Sequence, residues 1–165
     1  MEITKIETFL VYLEKTRAAT LKVIEVIPPA KLDWSYMPNK FTIADLVRHI
    51  AAIERTVFAE VAIGNKPNYK GCRKDVVDGY ENIVRYFNEM HSQTIEILKS
   101  ISDDSLKRKI KSLNGNTIEL GNFLRALVLH EIHHRAALVI YLNLLGIETP
   151  PIIGLMEEQV IQLSI

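Results

Sequence analysis

The segment Leu129-His130-Glu131-Ile132-His133-His134-Arg135 holds three of the five histidines within about one and a half helical turns. At ~100° per residue, positions i and i+4 fall on nearly one helix face. His130 and His134 therefore stack, and two imidazoles on a rigid element can share one metal ion. A third ligand must come from elsewhere, and His49 is the best placed. It shares a face with Leu46 and Ile53, while His130 and His134 share a stripe with Leu127, Leu138 or Ala137, Tyr141 and Leu145. Buried imidazoles need partners, because an unpaired polar group in a core costs about 1–3 kcal/mol. A shared ion satisfies three at once and leaves room for water or substrate. The competing reading makes them core histidines with ordinary hydrogen bonds, and spacing alone does not choose between the two.

The remaining reactive residues carry weaker signals. His133 lies ~100° from His134 on the helical wheel and belongs at the surface or in a helix contact. His91 falls on a polar part of its helix and reads as solvated. His130 to His134 also matches the His-Glu-x-x-His pattern of zinc proteases, in which Glu131 would be the general base. Only acidic residues such as Glu148, Glu157 and Glu158 follow as a third ligand. A di-iron bundle needs two Glu-x-x-His motifs, and only Glu131 to His134 provides one. Cys72, between Gly71 and Arg73, reads as a surface loop thiol. No glycine-rich phosphate loop is present.

Four long helices must position these groups. Helical periodicity marks residues 3–27, ended by Pro28-Pro29, then 42–63, 75–101 and 120–145, ended by Gly146. Thr42 and Asp45 approximate a capping box. Residues 30–40 form an aromatic-rich connection with Trp34, Tyr36 and Pro38, and residues 64–73 form a loop. Asn114-Gly115 between Ile110 and Ile118 suggests a small hairpin. A short C-terminal helix over about 155–163 is expected to pack back on the bundle. The fold class is all-α, a four-helix bundle in a single domain over residues 1–165, with connections long enough for a topology other than simple up-down-up-down.

Composition bounds the rest. Of 165 residues, 48% are hydrophobic and 24% charged, an ordinary globular balance. Twenty basic and twenty acidic residues cancel, and no basic stripe marks a nucleic-acid partner. The run Lys107-Arg108-Lys109 lacks the aromatics that stack bases. No apolar stretch reaches the ~20 residues of a membrane span. One cysteine and no signal-peptide pattern lead us to expect a cytoplasmic protein.

The chain resembles the DinB/YfiT-like superfamily of metalloenzymes over nearly its whole length. The resemblance rests on Leu32-Asp33-Trp34 before a proline-containing loop and on Phe41-Thr42-Ile43-Ala44-Asp45-Leu46-Val47-Arg48-His49-Ile50. The histidine segment Leu129 to Arg135 completes it, matching the family's His-x-x-x-His-Arg. It implies an up-down-down-up four-helix bundle and a divalent metal, zinc or nickel, held by His49, His130 and His134. It further implies a homodimer acting on a small-molecule substrate. Its activity would be hydrolysis or S-transfer with a low-molecular-weight thiol. The chain has Ala136-Ala137 where family members often have Gly-Gln, a change that bears on substrate handling and removes no ligand. The alternative is a non-catalytic metal-binding or dimerisation module with a structural histidine cluster.

Overall fold

A computed structural model describes residues 2–151 and 154–164. Helix α1 is Ile6–Glu25. Helix α2 starts at Ile43–Ile53, passes through a π-helical turn, Glu54–Ala59, and ends with Glu60–Ala62. Helix α3 is Tyr80–Lys99, α4 is Leu120–Leu144 and α5 is Glu157–Leu163. Strands β1, Lys109–Lys111, and β2, Thr117–Glu119, form the hairpin expected around Asn114-Gly115, with Ile110 opposite Ile118.

Local chemistry sets the boundaries. Thr42 Oγ1 accepts from the Asp45 amide at 3.0 Å, and Asp45 Oδ2 accepts from the Thr42 amide at 3.0 Å. This reciprocal cap fixes the start of α2 at Ile43, six residues before His49. Helix α3 begins at Tyr80 rather than near residue 75, because Gly79 has φ +84°, a conformation that stops a helix from continuing backwards. Val76 accordingly lies outside the helix and is exposed.

Side-chain pairings give the topology. Ile3 approaches Gly121 at one end, and Arg135 Nη1 donates to the Thr16 carbonyl at 3.2 Å, so α1 and α4 run parallel. Arg48 reaches Val77, Glu54 reaches His91, and Arg55 reaches Gln93, so α2 and α3 are also parallel. Phe58 packs on Phe123 while His49 meets His130 and His134, which makes α2 antiparallel to α4. The order is up-down-down-up. The long crossover between α2 and α3 is what allows two consecutive helices to share a direction.

The core has two apolar halves. One joins Phe9 and Leu13 to Val57, Leu98, Leu120 and Leu124; the other joins Val23 and Ile24 to Ile43, Ile50, Phe87, Leu138 and Leu142. Burying each such side chain contributes roughly 1.5–3 kcal/mol. Between the halves lies a polar layer of Thr16, Arg17, Thr20, Glu54, His91, Thr94 and Glu131, all buried. Helix α5 differs from the expectation that it packs back: none of its residues is buried, and Val160, Ile161 and Leu163 are exposed. Its seven residues carry too little apolar surface in register to hold it down.

Candidate metal centre

His49 comes from the middle of α2, and His130 and His134 come from adjacent turns of α4. The antiparallel crossing brings the three rings together. Ring centroids are 4.5 Å apart for His130 and His134, 4.6 Å for His49 and His134, and 5.0 Å for His49 and His130. One nitrogen from each lies within 4.8 Å of the others, and His49 Nε2 is 3.1 Å from His130 Nε2. Metal–imidazole bonds of about 2.0–2.1 Å in a tetrahedral site hold their nitrogens about 3.3 Å apart. The donor set therefore fits a divalent ion with small ring movements.

The electrostatics point the same way. Burial, followed by repulsion from His134, His49 and His133, lowers the His130 pKa to about 3. Burial and then His49 and His133 lower His134 to about 4, and burial lowers His49. All three are neutral at pH 7, the form with a lone pair to give. Inside the cluster His49 Nε2 and His130 Nε2 share one hydrogen bond, which one ring must donate and the other accept. His130 Nδ1 is buried without a hydrogen-bond partner. No Asp, Glu or Cys joins the cluster among the described residues, so protein atoms would leave a fourth position open.

Aromatic rings line the cluster. Phe41 lies 5.0 Å from His49 and 6.4 Å from His134, and Phe58 lies 6.2 Å from His130. Tyr69, in the loop after α2, places its hydroxyl 2.9 Å from His49 Nδ1. Burial, and then Cys72, push its phenol above the ordinary value, so it stays protonated. His133 is exposed, with its ring 4.9 Å from that of His134.

Glu131 is fully buried and engaged in the polar layer. Its Oε1 accepts from Thr20 Oγ1 at 2.6 Å, and its Oε2 lies 3.3 Å from Arg17 Nη2. Arg17 also pairs with Glu54, and its guanidinium stacks 3.9 Å from the Phe87 centroid. His91 corrects an expectation: it is 7% exposed, not solvated, with Nδ1 2.8 Å from Glu54 Oε1 and Nε2 3.2 Å from Glu14. The wheel showed a polar neighbourhood for His91, but that neighbourhood is the inner layer. Cys72 is likewise buried, 3% exposed, because its loop is pulled onto α2: Arg48 Nε donates to the Cys72 carbonyl at 2.7 Å. Burial raises its pKa. Tyr69 escaped sequence reasoning because it lies outside any periodic segment.

The family model of the DinB superfamily matches residues 12–138, which span the three histidines. The chain belongs to the DinB superfamily. Solved structures of similar fold include a DinB-like protein from Bacillus cereus ATCC 10987, with TM-score 0.76 and 18% identity over 90% of this chain and 98% of that one. The DinB-like protein YjoA from Bacillus subtilis gives TM-score 0.71 and 21% identity over 90% and 99%. YfiT from Bacillus subtilis, described as a probable metal-dependent hydrolase with an unusual four-helix bundle topology, gives 0.69 and 19% over 87% and 89%. At these identities the likeness establishes the DinB fold. No curated protein matches the sequence. No helix among the described residues is long and apolar enough to cross a membrane.

Proposed function

We propose that this DinB protein is a divalent-metal-dependent hydrolase whose ion, zinc or nickel, is held by His49, His130 and His134. One observation carries the reading: three neutral imidazoles from two helices bring their nitrogens within 4.8 Å, with no other protein ligand in the group. A bound divalent ion supplies Lewis acidity, lowering the pKa of a water or a small thiol so that it attacks at neutral pH. The name given to YfiT supports the choice of water. The chain's own groups supply the setting. His130 and His134 give a fixed pair of donors, because they are one turn apart on one helix. Phe41, half-buried beside His49, offers apolar surface to a small-molecule substrate, and the buried Phe58 packs behind His130. Glu131, which spacing made a candidate general base, has its carboxylate committed to Thr20 and Arg17. In this reading it is a positioning residue that holds the turn carrying His130.

The test uses untagged protein. Elemental analysis is expected to find a stoichiometric zinc or nickel in wild type and its loss in His130→Ala. Hydrolysis of small activated esters and amides should fall on chelation and return with the same ion. Turnover that requires an added low-molecular-weight thiol would move the reaction to S-transfer at the same site. A wild type that takes up no metal after reconstitution would overturn the proposal and favour a non-catalytic histidine cluster. The same preparation reports on the proposed homodimer through its mass in solution.

A further inference from the structure

We infer that Tyr69 is a positioning residue of the metal centre: its hydroxyl accepts the proton of His49 Nδ1 and so reserves His49 Nε2 for the ion. The inference rests on the metal-site reading above and assigns a role to a loop residue that no helical pattern marks.

His130 and His134 hold each other in place by their spacing on α4. His49 is the lone ligand from α2, so its ring must be oriented by something else. Its two nitrogens face different partners. Nε2 looks into the cluster, 3.1 Å from His130 Nε2, and Nδ1 looks out, 2.9 Å from Tyr69 Oη. A neutral imidazole carries one N–H, and whichever nitrogen donates leaves the other as the acceptor. An oxygen that takes the Nδ1 proton therefore fixes the tautomer with a lone pair on Nε2. Outer partners of ligating histidines act in this way, orienting the ring and raising its donor strength. The Tyr69 ring also meets the imidazole edge-on, 5.7 Å between centroids at 78°, which limits rotation of His49.

The hydroxyl is held there by α2 itself. The Asn68 amide donates to the Thr56 carbonyl at 2.8 Å. Four residues on, Arg48 Nε donates to the Cys72 carbonyl at 2.7 Å, and Arg48 Nη1 donates to the Val77 carbonyl at 2.9 Å. Asp45 holds Arg48 on one carboxylate oxygen and Arg73 on the other, each at 2.8 Å. Tyr69 is thus fastened on both sides to the helix that carries His49.

The experiment compares wild type, Tyr69→Phe and His49→Ala as full-length protein stripped of metal. Phe keeps the ring and its edge contact and removes only the hydroxyl, at a site exposed enough to fold unchanged, which the metal-free melting temperature checks. Zinc affinity is measured by competition with a chromophoric chelator. The tautomer of His49 in the metal-free protein is read from long-range nitrogen–proton correlation spectra. Tyr69→Phe is expected to weaken zinc about 10- to 100-fold. The His49 signals should move from the Nδ1–H form toward the Nε2–H form, a change that a purely structural role would not produce. If wild type binds zinc and Tyr69→Phe binds it within twofold, with the same tautomer, the inference is overturned and the metal site stands. If wild type binds no zinc, both fall.

Discussion

Replacing Arg17 with Met tests the polar layer most directly. Arg17 is 2% exposed, and both its acidic partners, Glu54 and Glu131, are 0% exposed. Met keeps much of the apolar stem beside Phe87 and removes only the charge and its donors. Two carboxylates then remain in the core with His91 and Thr20 as their neighbours. Removing one partner of a buried ion pair costs about 3–5 kcal/mol, since the charge left behind has lost its compensation. Loss of the cation–π contact with Phe87 belongs within that range. For a domain of this size, 1 kcal/mol shifts Tm by about 2–4 °C, so a fall on the order of 10 °C is expected. Urea unfolding at pH 7 gives the free energy, with an unchanged slope showing that the folded state is intact. Further substitution identifies the cause. Restoring stability by adding Glu54→Gln and Glu131→Gln would locate it in the same two groups. A loss below about 1 kcal/mol, or one that the two glutamine substitutions do not reduce, would refute this account of the layer.

Two further outcomes follow from the histidine cluster. Zinc at 100 times its Kd should stabilise wild type by about 2.7 kcal/mol, and His134→Ala should remove that gain without lowering the melting temperature of the stripped protein to the same extent; equal gains in both proteins would place the ion elsewhere. The metal-free protein should lose stability as pH falls from about 6.5 toward 4, because the His130 and His134 pKa values are lowered to about 3 and about 4 while the unfolded rings take up protons near 6.5. The ceiling is about 1.4 kcal/mol per pH unit for each ring, reduced because both are only part-buried. Urea unfolding of stripped wild type and His130→Ala/His134→Ala from pH 7 to 4.5 separates this slope from that of the carboxylates.

The parts of this molecule legible in its sequence are those with a period or a local rule. The 3.6-residue repeat marked four helices, and Thr42 with Asp45 marked the cap at the start of α2. The i, i+4 histidines marked the donor pair because a single helix fixes their geometry. Residues such as Tyr69, Cys72 and Val77 were opaque for a physical reason. Their positions are set by long-range contacts to α2, the Asn68 amide on the Thr56 carbonyl and Arg48 reaching to backbone carbonyls 24 and 29 residues away. His91 misled because a helical wheel records which residues share a face, not whether that face meets solvent or other polar groups.

Helix α4 shows how the two polar features of the core depend on each other. Residues 130 and 131 are adjacent, yet His130 turns toward α2 and Glu131 toward α1, as the ~100° step requires. A helix buried on both sides cannot rotate to improve one set of contacts without spoiling the other. The Thr20 and Arg17 contacts on one face therefore fix the azimuth of His130 and His134 on the neighbouring face. The up-down-down-up order completes the arrangement, because it sets α4 between α1, which supplies that anchor, and α2, which supplies His49. The ionic layer is not needed for stability as such, since apolar packing of the same volume is often at least as stable. Its return is a fixed rotation of the helix that carries two of the three proposed ligands.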